Sequence, residues 1–278
     1  MNRQQSGRVL VVAGSDSGGG AGIQADIKTV TALGGYAATA ITALTAQNTQ
    51  GVHGVLPVPP DFVRLQMAVV LDDIGADAVK IGMLGSAEVV NAVAAALRRH
   101  AGGIPLVIDP VMVAKGGARL LDKAAIDALR RELLPCATLL TPNVPEAEAL
   151  TGLTIPDHAA ARLALQALLD LGAPAVLLKG GHLSGAVVQD MLATPASIEV
   201  FDSPRIDTRH THGTGCTLAS AIAAGLAQGM QLPDAIRRGI AYVHAAILAA
   251  PGFGAGHGPL GHGITVDVSR LAWIPAQG

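Results

Sequence analysis

Short apolar runs, each followed by a stretch of helical period, recur along almost the whole chain, and this alternation specifies a parallel sheet covered by helices. The runs at 8–13, 37–43, 78–81, 106–109, 138–140 and 175–179 read as strands. Helical segments at 60–74, 86–100, 122–133 and 157–171 lie between them, the first placing Phe62, Leu65 and Val69 on one face. After residue 186 the pattern changes: 187–193 and 198–202 read as an antiparallel edge pair, followed by Ala-rich helices at 213–227 and 233–250. The reading is an α/β protein with a mostly parallel central sheet and helices on both faces, in three layers. No linker or repeat divides residues 1–278, so one domain is expected.

Half the residues are hydrophobic and 14% are charged, enough apolar surface for a large core. Six residues are aromatic against 34 glycines, so close backbone approach must fill much of the interior. A formal charge of −2 without a basic cluster argues against a nucleic-acid or membrane partner and for a small-molecule ligand. Cys136 and Cys216 stand far apart with no pairing pattern, which points to a reducing compartment, the cytoplasm. The apolar run at 9–13 is too short for a signal-peptide core, and 216–230 is shorter than a membrane span.

Ligands of such sheets bind beyond the carboxyl ends of the strands. The residues gathered there are Gly14, Ser15 and Asp16; Gln47 and Asn48; Gly82 and Met83; Asp109; Asn143 and Glu146; and Lys179, Gly180 and Gly181. Four motifs stand out. GSDSGGGAGIQA at 14–25 contains GxGxxA, but a dinucleotide site needs an acidic residue about 20 positions on, and none occurs between Ile27 and Pro60. What remains is a tight turn into a helix, or a ligand loop flanked by Asp16 and Asp26. THGTGC at 211–216 precedes an Ala-rich helix, where Gly213 and Gly215 let backbone N–H groups converge on an anion. A helix cap by Thr211 or Thr214, or a zinc site from His210, His212 and Cys216, would use the same letters. In TPNVPE at 141–146, Asn143 and Glu146 suit a hard cation or a Pro-initiated helix start equally. Asp109, ahead of Pro110, suits a metal-bound water or a turn; Lys179 in KGGH suits a phosphate or an exposed hairpin.

Taken together with ITALTAQNT (41–49), KIGML (80–84), DPVM (109–112) and GHGPLGHG (256–263), these motifs resemble the ribokinase-like superfamily, and within it the hydroxymethylpyrimidine/phosphomethylpyrimidine kinases of thiamin biosynthesis. The resemblance covers essentially the whole chain. It implies phosphorylation of 4-amino-5-hydroxymethyl-2-methylpyrimidine and then of its monophosphate, with pyridoxal as the rival acceptor. It implies that Gln47 bonds the aminopyrimidine edge while Gly14, Asp26 and Met83 line the acceptor pocket. Lys179, Thr211, His212, Gly213, Thr214 and Gly215 would hold the ATP phosphates, with Lys179, Gly213, Gly215 and Cys216 at the chemistry. Asp109, Asn143 and Glu146 would organise Mg²⁺, the glycine-rich tail would lie near the adenine, and a homodimer is expected from the Ala- and Gly-rich surface. Many relatives in the superfamily carry Asp, as general base, where this chain has Cys216. A cysteine avoids repelling a second, phosphorylated acceptor.

Overall fold

The computed structural model describes residues 6–112 and 121–267. Nine strands form one sheet: β1 (Arg8–Asp16), β2 (Tyr36–Asn48), β3 (Gly51–Pro57), β4 (Ala78–Ile81), β5 (Leu106–Ile108), β6 (Leu139–Leu140), β7 (Val176–Leu178), β8 (Val187–Ala193) and β9 (Ile198–Pro204). Their order is β3-β2-β1-β4-β5-β6-β7-β8-β9. The six strands from β2 to β7 run parallel, and β3, β8 and β9 pair antiparallel at the two edges. From β1 the chain goes outward to β2 and then returns to β4 on the opposite side. Connections therefore diverge beside β1, and a crevice opens beyond the carboxyl ends of the strands there.

The alternation within the strands sets the layers. Val9, Val11 and Ala13 of β1 point to one face, where they meet α1 (Gly22–Ala32), α7 (Thr214–Ala227) and α8 (Leu232–Leu248). Leu10 and Val12 point to the other, which is covered by α2 (Pro60–Asp73), α3 (Ala87–His100), α4 (Lys123–Glu132), α5 (Val144–Thr151) and α6 (His158–Asp170). The scarcity of aromatics has its counterpart between α7 and α8. A Cβ on Gly225 would lie 2.8 Å from that of Ala235, so only glycine permits this approach.

Two expectations need correcting. The face of α2 that carries Phe62, Leu65 and Val69 is exposed, and Val63 and Met67 are the residues it buries. Gln47 and Asn48 do not follow the second strand but end it, because β2 runs past the sheet to pair with β3. No helix among the described residues is long and apolar enough to cross a membrane.

The tail closes over the α1 side of the sheet. His262 is buried with Nε2 2.9 Å from Thr217 Oγ1, and its carbonyl accepts from Tyr242 Oη at 2.7 Å. Burial, aided by Lys28, pushes its pKa down to about 4. The folded state therefore binds fewer protons than the unfolded chain below pH 6.5, so this contribution to stability is complete above 6.5 and is lost as pH falls towards 4. The expected loss is about 3 kcal/mol, from 1.36 kcal/mol per pH unit. Urea unfolding at pH 7, 5 and 4 should show this decline in the wild type and a shallower one in His262→Gln; parallel profiles would contradict it.

Candidate active site

Two cavities open beyond the carboxyl ends of the strands. The larger, about 520 Å³, is lined by Gly14, Gln47 and Met83 at one end and by Asp109, Glu146, Lys179 and Cys216 at the other. The smaller, about 320 Å³, has Asp190 and Arg205 on one wall and Leu218, Ile240, Val243 and Ile247 of α7 and α8 on the other. They share Asn143, Lys179, His182, Thr211, Thr214 and Gly215. A group passing from one cavity to the other must pass these residues.

The shared wall is built around the start of α7. Gly213 is its N-cap at φ 88°, a left-handed conformation that disfavours side chains, and a Cβ there would overlap Gly20 O. The loop is thus pressed backbone to backbone against the 18–21 turn. The N-cap position itself falls to Gly213, which has no side chain to cap with, and the Thr214 hydroxyl donates to Thr211 O at 3.2 Å. Thr214 N donates to Thr211 O at 3.4 Å, while the N–H groups of Gly215 and Cys216 and the positive end of the helix dipole are available to an anion. A Cβ on Gly215 would lie 3.1 Å from Lys179 Nζ, so glycine there also lets the ammonium approach the helix end.

Lys179 Nζ lies 2.7 Å from Asp109 Oδ1 and 3.7 Å from Glu146 Oε2. Burial disfavours its charge, yet Asp109 and Glu146 outweigh burial and hold its pKa above the ordinary lysine value. Burial pushes the Glu146 carboxyl up to about 7, with Lys179 opposing the rise. Asn143 differs from expectation. Its side-chain oxygen accepts from Glu146 N at 2.9 Å while Glu146 Oε2 accepts from Asn143 N at 2.8 Å, a reciprocal cap on α5. That oxygen is committed to the helix rather than to a cation, and the three-residue spacing reflects the cap.

Asp109 and Glu146 remain as the acidic pair facing the cavity. Among the described residues no group of three or more His, Cys, Asp or Glu could hold a metal by itself, which also sets aside zinc at His210, His212 and Cys216. Two carboxylates beside an anion site nevertheless fit Mg²⁺, which is commonly held by one or two carboxylates together with substrate phosphates.

Asp26 is not in the pocket lining. It is fully buried under it, accepting from Lys80 Nζ at 2.9 and 3.0 Å and from Ser220 Oγ at 2.7 Å. Ser220 lies one helical turn after Cys216, and Asp26 one turn after Gly22, so this cluster ties α1, α7 and β4 together beneath the anion loop. Lys80 was missed, although a lysine inside the apolar run AVKI is itself a signal of a buried partner. Burial would lower the pKa of Lys80, but Asp26, with Cys216 and Asp109, holds it above the usual lysine value.

Cys216 is half-buried at the floor of the larger cavity. Burial pushes its thiol up to about 12, against the lowering influence of Lys80, so at neutral pH it is a neutral thiol and not a thiolate. The helix end does not activate it. His212 lines the larger cavity and not the smaller one, and its ring contacts Asp16 and Gln47. The tail lines neither cavity; Gly254 and Gly256 pack on Thr49 instead. The apolar wall from α8 was also missed, because half-buried residues at helical spacing read as core.

A family model described as phosphomethylpyrimidine kinase matches residues 16–261. The chain belongs to this family. It is 56% identical over 264 residues to the thiamine biosynthesis bifunctional protein ThiED of Geobacter sulfurreducens, covering 95% of this chain and 54% of that longer protein. The chain thus spans about half the length of that relative. It is 51% identical to the hydroxymethylpyrimidine/phosphomethylpyrimidine kinase of Streptomyces coelicolor, covering 92% of this chain and 94% of the other. An ADP complex of Bacillus subtilis pyridoxal kinase superposes with a TM-score of 0.86 at 37% identity, covering 93% and 98% of the two chains. Membership of the phosphomethylpyrimidine kinase family makes the protein a kinase, and its fold is that of the ribokinase-like kinases.

Proposed function

We propose that the protein transfers the terminal phosphoryl group of ATP to the hydroxymethyl group of 4-amino-5-hydroxymethyl-2-methylpyrimidine, and then phosphorylates that monophosphate to the diphosphate. The observation that carries this reading is the junction of two cavities at the glycine-capped start of α7 beside Lys179. ATP takes the smaller cavity, with its base on the apolar wall of α7 and α8 and its phosphates at the junction. The acceptor takes the larger cavity, its ring edge at Gln47 and its hydroxymethyl group towards Cys216.

The N–H groups after Gly213 face the transferring group, where negative charge spreads over its oxygens. Lys179 exchanges part of its contact with Asp109 for a phosphate oxygen. Asp109 and Glu146 would hold Mg²⁺, which when bound neutralises charge on the ATP phosphates. In a loose phosphoryl transition state the acceptor oxygen keeps its proton until late, so a strong base is dispensable. Cys216, being neutral, offers no charge to an incoming phosphate monoester. A carboxylate at the same place would repel it by about 4 kcal/mol per unit-charge pair at ~4 Å and effective ε ~20. Cys216→Asp is therefore expected to lose at least about tenfold more kcat/KM on the second phosphorylation than on the first. Equal losses in separate assays of the two steps would contradict this role.

The likeness to pyridoxal kinase favours pyridoxal as a second acceptor, to be assayed alongside the first. Residues 1–278 are proposed to act as one kinase domain, on the support of the single continuous sheet. A homodimer is supported by the exposed apolar surface of Leu44, Leu56, Phe62, Leu65 and Val69. A cytoplasmic site is in keeping with two unpaired cysteines, one of them exposed.

Incubation with the aminopyrimidine alcohol and ATP·Mg²⁺ tests the main reading, with both phosphorylated products expected.

A further inference from the structure

Four polar side chains at the acceptor end of the larger cavity, Asp16, Thr45, Gln47 and His212, share a small number of protons. His212 Nε2 lies 2.9 Å from Asp16 Oδ2 and 3.3 Å from the amide nitrogen of Gln47. Thr45 Oγ1 lies 2.9 Å from Ser15 O and 3.2 Å from the amide oxygen of Gln47. The imidazole has little freedom to move away, since a Cβ on Gly20 would fall 2.5 Å from its Cδ2 and its backbone is bridged to Pro259.

The proton placements follow from what each group is able to do. Asp16 accepts from Gly18 N at 2.8 Å, Gly20 N at 3.1 Å and Ala21 N at 2.9 Å. Although burial raises its pKa, the bonds from His212 and these backbone groups lower it overall, so Asp16 is a carboxylate and only accepts. His212 Nε2 must then carry the proton between them. That one proton is directed at Asp16 and leaves the nitrogen no lone pair, so an amide NH₂ beside it sets donor against donor, whereas a carbonyl there would share the proton with Asp16. Thr45 has one hydroxyl proton, and the Ser15 carbonyl, which only accepts, takes it. The Gln47 atom beside Thr45 must therefore donate, which an amide oxygen does not do. Half a turn about the last side-chain bond of Gln47 removes both conflicts together, placing its carbonyl at His212 and its NH₂ at Thr45.

We propose that His212, anchored by Asp16, is a specificity-determining positioning residue: it fixes the order in which Gln47 presents its acceptor and its donor to the acceptor ring. This rests on the reading that Gln47 faces the ring edge. In 4-amino-5-hydroxymethyl-2-methylpyrimidine an amino donor sits beside a ring-nitrogen acceptor, and an amide pairs with that edge in one order only. The hydroxymethyl carbon adjoins the amino side of the edge, and the 2-methyl group adjoins the ring-nitrogen side. Reversing the amide turns the ring over and exchanges these two groups, leaving a methyl group where the alcohol should meet α7. Pyridoxal has no amino donor beside its ring nitrogen, so the fixed order gives it no such advantage.

The test compares His212→Leu, which removes the Nε2 donor, with His212→Gln, whose amide donates from nearly the same place. For His212→Leu, kcat/KM for the aminopyrimidine alcohol is expected to fall about tenfold, the worth of one well-placed hydrogen bond. The KM for ATP should stay within about twofold, and the preference for this alcohol over pyridoxal should narrow by the same factor of about ten. His212→Gln should recover most of both losses. An unchanged preference, or equal losses on the two acceptors, would overturn the role of His212. A wild-type enzyme that phosphorylates neither the alcohol nor its monophosphate would instead overturn the functional reading itself, and this inference with it.

Discussion

Asp26→Ala is expected to destabilise the protein by about 3–5 kcal/mol, the range for removing one partner of a buried ion pair. The reason is the ammonium left behind. Lys80 is fully buried, and its two short contacts are both to Asp26. Asp26 also anchors Ser220, so its loss unties α7 from α1 one turn beneath the anion loop. The double replacement Asp26→Leu with Lys80→Met removes both charges and should recover most of the stability, because paired apolar residues of similar size are often neutral or better. Chemical denaturation of the two variants measures the difference. Were Asp26 part of the acceptor pocket, as the sequence suggested, the double variant would stay folded yet show a greatly raised KM for the acceptor. The structure predicts a KM for the acceptor close to that of the wild type.

Lys179→Met is expected to lower kcat by about 10²–10³-fold, the usual consequence of removing one group aimed at developing charge in a transition state. Its ammonium lies where the two cavities meet and is held there by Asp109 and Glu146. Lys179→Arg should not restore the rate. Nζ already lies 3.1 Å from the position of a Cβ on Gly215, and the planar guanidinium needs more room than this corner provides. Steady-state kinetics on both variants, with a thermal melt to establish folding, decide the matter. A folded Lys179→Met enzyme with near-normal kcat would place the transferring group elsewhere.

The parallel strands were legible because their apolar runs are buried on both faces, as β4, β5 and β7 show. β3 was not, since GVHGVLP at an exposed edge carries no buried alternation. Without β3 the extension of β2 could not be foreseen, and Gln47 read as a loop residue. On α2, apolar residues at helical spacing marked a face but not which way it pointed; Phe62, Leu65 and Val69 look outward.

The candidate site was legible where backbone geometry alone makes it. Gly213 at the cap of a helix and Gly215 in its first turn leave the helix end accessible whatever the side chains do. It was less legible wherever one pattern serves two purposes. Asn143 and Glu146 have the spacing of a reciprocal cap and of a cation pair, and only the structure shows the cap. Asp26 beside a glycine turn resembles a ligand contact until Lys80 is seen beneath it. His212 belonged by sequence to the phosphate loop, yet its ring reaches Asp16, 196 positions away in the chain. Such a contact has no local signal.

The junction of the two cavities is proposed to perform two successive phosphoryl transfers on one aminopyrimidine. The most direct measurement is identification of the phosphorylated products formed over time from 4-amino-5-hydroxymethyl-2-methylpyrimidine and ATP·Mg²⁺. The monophosphate should appear first and then be converted to the diphosphate by the same enzyme. Absence of both products, with pyridoxal phosphorylated in the parallel assay, would contradict it.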